Sequence, residues 1–246
     1  MVETESEEYY WEVKELFSSL HQLKKIEGVD ECLSYLINFT IQRERNGRKK
    51  FKEEVFLLFK LGYEENIFIP QASDSKGKFL NMVIQCVDLK KYSYLEYFLE
   101  NYAYTLKDDD KDQVLAFSKA LLAYKTKRYE DARIALISQR FKTDVDKIRT
   151  KSLLTKSIYE EYIIDDSQYD LLISHLMAFR KFLIRNKKLP SQRIASYLNY
   201  LKFIKSMALH HFKRRVNKEF KLRLLKKLEN QPVANKEWLI EQLNIL

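Results

Sequence analysis

The side chains that most often hold transition metals are few in this 246-residue chain, and their spacing does not suit a metal site. The four histidines are His21, His175, His210 and His211. No His-x3-His pair occurs, and the two cysteines, Cys32 and Cys86, form no Cys-x2-Cys pair. His210 and His211 are neighbours on a predicted helix, so their side chains diverge by about 100°. The sequence predicts no metal site, and a ligand role for the His210–His211 pair is the alternative.

A phosphate-binding loop is the next chemistry to consider, at "ASDSKGKF" (residues 72–79). Gly77 and Lys78 fit the Walker pattern, but Ala72 and Phe79 stand where that pattern has glycine and a serine or threonine. We therefore predict a solvated loop. The alternative is weak anion binding at the N-terminus of a helix that starts near Lys76.

Paired carboxylates occur at Glu64-Glu65, Glu160-Glu161 and Asp165-Asp166. General acid and base groups must converge on a substrate in a cleft, and sequence neighbours on one helix do not converge. Cys32 and Cys86 lie within apolar helical patterns, as small core residues do. The sequence predicts no catalytic residue, no cofactor and no enzymatic activity, and an enzyme without a recognisable motif is the alternative.

The basic stretch "HHFKRRVNKEFKLRLLKKLEN" (210–230) is the strongest remaining feature. Residues 175–246 hold 17 Lys and Arg against 4 Asp and Glu. Val216, Phe220, Leu224 and Leu228 recur every four residues, which predicts a helix docked by that stripe. Seven cations surround the stripe: Arg214, Arg215, Lys218, Lys221, Arg223, Lys226 and Lys227.

This basic stretch has two interpretations. A solvated helix face is the simpler one, because cations near a helix C-terminus interact favourably with the dipole. The functional one is an anion-binding face on Arg214, Arg215, Lys218 and Lys221. It would serve nucleic acid, an anionic surface or an acidic protein partner. The stretch matches no nucleic-acid-binding motif such as a zinc finger or an RNP1 signature.

The elements that must position these residues are predicted to be helices throughout. Gly occurs 4 times and Pro 3 times, and hydrophobic residues make up 46% of the chain. Such low glycine disfavours hairpin-rich β folds and favours an all-α protein. Two cysteines, an acidic N-terminus and no long apolar run predict a cytoplasmic protein with no membrane partner.

Three stretches share one pattern, in which a polar break is followed by a tyrosine that opens an amphipathic helix. The tyrosines are Tyr92, Tyr129 and Tyr169, at spacings of 37 and 40 residues. Large or small apolar residues follow at offsets of three and seven in each stretch. Phased helix pairs of this kind predict a solenoid. We expect a single domain over 1–246, with units near 76–104, 111–141 and 146–186 and basic helices over 190–246.

The second stretch, "AYKTKRYEDA" (123–132), resembles the centre of a tetratricopeptide repeat. Tyr124, Tyr129 and Ala132 match that pattern, whereas Lys127 replaces the usual turn glycine and the spacing exceeds the standard of roughly 34 residues. From residue 38 to residue 207 the chain also resembles the C-terminal half of a group of bacterial helical-repeat proteins with no assigned activity. It looks shorter than they are, as a portion of a longer protein would.

The resemblance implies a tetratricopeptide-like α-solenoid that acts as a protein–protein interaction scaffold. It places Phe117, Leu121, Tyr124 and Lys125 on the concave groove that would hold a protein or peptide partner. Families that clamp a C-terminal carboxylate have Lys and Asn at such positions, so an apolar contact is expected here instead. Ordinary packing between repeats is the alternative role for these four residues, and nucleic-acid binding by the basic helices is the alternative function.

Overall fold

The computed structural model describes residues 7–19, 27–186 and 188–246, and within these ranges the regular structure is helical, with no strand. The twelve α-helices of the described ranges are α1 (Glu7–Ser19), α2 (Val29–Arg45), α3 (Phe51–Glu64), α4 (Ser75–Asp88), α5 (Tyr92–Asn101), α6 (Asp108–Lys125), α7 (Tyr129–Ile137), α8 (Asp144–Ile164), α9 (Tyr169–Arg185), α10 (Ser191–Phe212), α11 (Lys218–Glu229) and α12 (Lys236–Ile245). Short 3-10 helices cover Ala103–Thr105 and Asp166–Gln168. The predicted all-α class is confirmed.

The chain forms two compact units, Met1–Lys125 and Thr126–Leu246. We call them the N-terminal unit and the C-terminal unit. The division falls inside the predicted repeat unit 111–141.

In the N-terminal unit, α2 packs against α3, α3 against α4, and α4 against both α5 and α6. Its core is aromatic, with Phe51, Phe59, Phe79 and Phe98 almost completely buried. Gly62 in α3 permits a close approach, because a Cβ there would lie 2.3 Å from the ring of Phe68. The Phe68 ring therefore packs directly on the backbone near the C-terminal end of α3.

In the C-terminal unit, α8 packs against α7 and α9, α9 packs against α10, and α12 packs against α10 and α11. Tyr159, Phe179 and Tyr200 are fully buried in its core. The Tyr162 hydroxyl crosses from α8 to donate to the carbonyl oxygen of Ala208 on α10, at 2.9 Å. Such a buried, satisfied hydrogen bond fixes the register of α8 against α10.

Three helices start at the tyrosines that the sequence pattern singles out, since α5, α7 and α9 begin at Tyr92, Tyr129 and Tyr169. The turns before α5 and α7 are closed by lysines in the left-handed region, Lys90 at φ 57° and Lys127 at φ 62°. Lys127 thus adopts the conformation that a turn glycine would take, at some cost in backbone energy. The predicted helix starts are confirmed.

The predicted phase of α7 is confirmed by burial, because Ala132 is fully buried. Ala132→Leu is expected to overpack this buried position and to lower the free energy of unfolding by ~1–3 kcal/mol. Thermal unfolding of the purified variant would measure the loss. Ala195→Leu is the matched control, since Ala195 is exposed on α10. Equal melting temperatures for the two variants would show that the surroundings of Ala132 have room for a larger side chain.

Candidate functional site

Charge is distributed unequally between the two units. Residues 126–246 contain 26 Lys and Arg against 13 Asp and Glu, whereas residues 1–125 contain 18 against 22. The C-terminal unit therefore carries a net charge of +13 and the N-terminal unit −4. A surplus of this size creates a positive potential that attracts anionic partners.

The positive charges of the C-terminal helices have little internal compensation. Among the Lys and Arg side chains that the structure describes between 175 and 246, only Arg214 forms an ion pair, with Asp166. The same Asp166 carboxylate lies 3.8 Å from Nδ1 of His211. The other cations described in this stretch form no ion pair, although the Arg223 guanidinium lies 5.8 Å from the centroid of the Phe220 ring.

The helices α10 and α11 run antiparallel and are joined at both ends. At one end the His210 ring stacks on the Phe220 ring, with centroids 3.9 Å apart. At the other end, Asn199 Nδ2 donates to the Pro232 carbonyl oxygen at 3.1 Å. The backbone N–H of Ala234 donates to the Ser196 carbonyl oxygen, also at 3.1 Å. These contacts hold the two helices on either side of a groove.

The residues around the start of α11 determine where this helix begins and which of its faces is buried. Asn217 caps the helix, because its side-chain oxygen accepts from the backbone N–H of Phe220 at 2.8 Å. Phe220, Leu224 and Leu228 are buried, which confirms three positions of the predicted stripe. The fourth, Val216, lies before the first residue of α11 and is half-buried, because the helix begins only at Lys218. The cations between the stripe positions are thereby turned outwards.

The groove has a volume of about 600 Å³, an apolar floor and a cationic rim. Phe203 from α10 and Leu224 from α11 form the floor and are themselves nearly buried. The rim consists of the exposed cations Lys202, Arg223, Lys226 and Lys227. The remaining lining is uncharged and polar, with Asn199, Ser206, Asn230 and Gln231. We call this site the basic groove; its lining includes no acidic residue.

The four cations that the sequence predicts for anion binding lie beside the basic groove and do not line it. Arg214 and Arg215 are exposed in the connection after α10, Lys218 is the first residue of α11, and Lys221 is half-buried. Arg214 is also paired with Asp166. The sequence does not indicate Lys202 as an anion-binding residue, because nothing in the local pattern shows which face of α10 lies towards α11.

The four residues that the tetratricopeptide resemblance selects lie on α6. Phe117 is buried, Leu121 and Tyr124 are half-buried, and Lys125 is exposed. The helix packs against α4 and α5. Phe117 therefore has little surface left to contact a partner. Packing between helices was the alternative role for this residue.

Residues with possible chemistry lie in settings that do not activate them. Burial raises the pKa of the Cys86 thiol to about 12 and also raises that of Cys32, so neither is a thiolate at neutral pH. The described ranges contain no group of three His, Cys, Asp or Glu side chains placed to hold a metal ion. None of the helices described here has the length and apolar character needed to cross a membrane.

Comparison with known proteins gives no match to this chain among protein-family models, curated proteins or solved structures.

Proposed function

We propose that this chain is a non-catalytic interaction module that binds an acidic, amphipathic protein segment in the basic groove. The observation that carries the proposal is the pairing of an apolar floor with four exposed cations that form no ion pair within the described chain. An amphipathic helix or strand with carboxylates flanking an apolar face complements both parts. Its charges would also speed association, because opposite potentials steer the encounter.

Tetratricopeptide-like helix pairs are part of this proposal. Two of the expected units correspond to helix pairs that pack against each other, α4 with α5 and α8 with α9. The tight turn at Lys90, between α4 and α5, also suits such a pair. A solenoid of helix pairs is a common means of presenting an extended surface to a protein partner.

Nucleic-acid binding is the second candidate, favoured by the net charge of +13 in the C-terminal unit. Single-stranded nucleic acid is usually held by aromatic rings that stack on bases. The one aromatic residue of the basic groove, Phe203, is nearly buried and offers no such platform. The groove geometry thus favours a protein segment over a nucleic acid.

The test compares two variants with equal changes in charge. The groove variant reverses Lys202, Arg223, Lys226 and Lys227 to Glu, and the flank variant reverses Arg214, Arg215, Lys218 and Lys221 to Glu. The probe is a helical peptide with leucine on one face and glutamate on the other. We expect the groove variant to bind it on the order of 100-fold more weakly at about 150 mM salt, from four contacts of ~0.7 kcal/mol each. The flank variant should lose only a few-fold.

Equal losses in the two variants would contradict a groove-specific site and indicate only general electrostatic attraction. Oligothymidine and a DNA duplex provide the second arm of the experiment. Tight binding of either near 150 mM salt, with a steep salt dependence removed by the flank variant, would favour the nucleic-acid function instead. Circular dichroism of both variants verifies that they remain helical.

A further inference from the structure

A row of tyrosines lies on the surface of the N-terminal unit, along α5 and the 3-10 helix that follows it. The ring centroids of Tyr94 and Tyr97 are 5.9 Å apart, those of Tyr97 and Tyr102 are 6.1 Å apart, and those of Tyr102 and Tyr104 are 6.4 Å apart. We call these four residues the tyrosine ladder. Tyr97 and Tyr104 are each 48% exposed, while Tyr102 is buried beneath them. The ladder therefore presents ring faces and edges to solvent from a fixed base.

The hydroxyl groups of the ladder are anchored at the C-terminal end of α3. Tyr94 OH donates to Glu64 Oε1 at 3.5 Å, and Tyr104 OH donates to Asn66 Oδ1 at 3.2 Å. Asn66 holds a left-handed conformation, with φ 54°, in the turn that ends α3. Two different elements thus position the ladder, which lowers the conformational entropy that a ligand would have to remove.

The surroundings of the ladder are suited to a cation. Glu64 is the last residue of α3, where the helix dipole adds partial negative charge to the carboxylate. Glu65, directly after α3, is exposed, as are Glu96 and Glu100 on α5. Burial, together with the Glu64 carboxylate, raises the pKa of Tyr94, so its hydroxyl remains a neutral donor. The N-terminal unit as a whole carries a net charge of −4.

One cation of the chain, Lys60, already lies against the tyrosine ladder and Glu64. Nζ of Lys60 lies 5.5 Å from the centroid of the Tyr94 ring and 3.7 Å from Glu64 Oε1. Both partners of this pair are more than one-third exposed, so the ion pair is weak and easily displaced. The contact shows how a ring face of the ladder and the neighbouring Glu64 carboxylate act together on a positive charge.

We propose that the tyrosine ladder binds an arginine side chain in a basic segment of a partner protein. A guanidinium group is planar, stacks on aromatic rings and donates several N–H groups at once. The ladder offers both complements, since exposed rings stand beside the Glu64 carboxylate and tyrosine hydroxyl oxygens. A quaternary ammonium group could pack on the rings, but it has no N–H to donate to the Glu64 carboxylate or to the tyrosine hydroxyl oxygens. The partner segment is therefore basic, opposite in charge to the segment that the basic groove would bind.

The experiment titrates the full chain with a short blocked peptide that carries two arginines between glycines. Matched peptides carry citrulline, which is planar and neutral, or lysine, which is charged and not planar. We expect the arginine peptide to bind most tightly and the citrulline peptide not to bind. Glu64→Gln and Tyr97→Ala should each weaken arginine-peptide binding about ten-fold, through the lost charge and the lost ring face respectively. Tyr35→Ala is the control, because Tyr35 is exposed on α2 away from the ladder residues in sequence.

Several results would overturn this proposal. They are the absence of arginine-peptide binding, citrulline binding equal to arginine, or affinities of Glu64→Gln and Tyr97→Ala equal to that of Tyr35→Ala. Lysine binding as tight as arginine would overturn the assignment of a guanidinium. Glu64→Gln is nearly isosteric, so it keeps the test valid if Tyr97→Ala proves unstable. The groove variant described above should bind the arginine peptide as well as the unmodified chain does, which separates this surface from the basic groove.

Discussion

Phe179→Ala is expected to lower the free energy of unfolding by ~3–5 kcal/mol, the largest effect that we expect from any single substitution. The Phe179 ring is fully buried in the core of the C-terminal unit. It lies against Tyr197 at a centroid distance of 6.0 Å and Phe182 at 6.4 Å. Removal of the ring leaves a cavity that these rigid aromatic neighbours cannot close, so both burial and contact energy are lost.

Denaturant unfolding followed by circular dichroism measures this loss. Met177→Ala is the control on the same helix, since Met177 is 64% exposed and should change stability by less than about 0.5 kcal/mol. Phe179 is ten residues after Tyr169, on the helix that begins there. If the two variants proved equally stable, the helical phase of α9 would be wrong.

Acidification from pH 7 to pH 5 is expected to remove about 2 kcal/mol of stability through His175 alone. Nε2 of His175 lies 2.9 Å from Thr155 Oγ1. The Thr155 hydroxyl donates to the Lys151 carbonyl oxygen at 2.7 Å, so the imidazole must be the donor to Thr155. Burial, with a smaller contribution from the Lys151 charge, lowers the pKa of His175 to about 4. Lys151 is itself buried enough for its pKa to be lowered.

The sign of this effect follows from the direction of the pKa shift. The folded-state pKa of about 4 is below the unfolded value of about 6.5, so the unfolded chain binds a proton more readily in between. The contribution is fully present above pH 6.5 and is lost as the pH falls towards 4. The pH dependence of urea unfolding measures it.

His175→Gln is the matched variant, because glutamine keeps a donor for Thr155 and does not titrate. Its loss of stability between pH 7 and pH 5 should be about 2 kcal/mol smaller than that of the unmodified chain. Identical pH dependences for the two proteins would show that the pKa of His175 is the same in the folded and unfolded states. Comparing the difference between two pH values cancels any constant cost of the substitution itself.

Features that depend on neighbours along the chain were predictable from the sequence. Low glycine and proline predicted an all-helical protein, and the breaks before Tyr92, Tyr129 and Tyr169 predicted the starts of α5, α7 and α9. The buried stripe of α11 was also predicted, since residues four apart lie on one helix face. Each of these depends on turns, caps and periodicity, which act over a few residues.

The surfaces that we propose for binding depend on residues that are distant in sequence. Lys202 reaches the basic groove only because α10 and α11 run antiparallel, joined by the stack of His210 on Phe220. Arg214 pairs with Asp166, 48 residues earlier, and lies outside the groove. The stretch "YSYLEYFLENYAY" (92–104) signals an aromatic surface by its composition, but its acidic partner Glu64 is 30 residues away from Tyr94.

The sequence by itself determined the helical class, the starts of three helices and the apolar faces, because hydrogen bonds and side-chain periodicity in a helix are local. Only the tertiary structure decided which cations remain unpaired, which of them share a groove, and which tyrosines meet a carboxylate. Those outcomes depend on the angle and register at which helices pack, and many sequences with the same pattern of apolar faces could pack differently. The charged side chains of a helix can point in any outward direction. Only the helices packed beside it determine which of those side chains meet in one site.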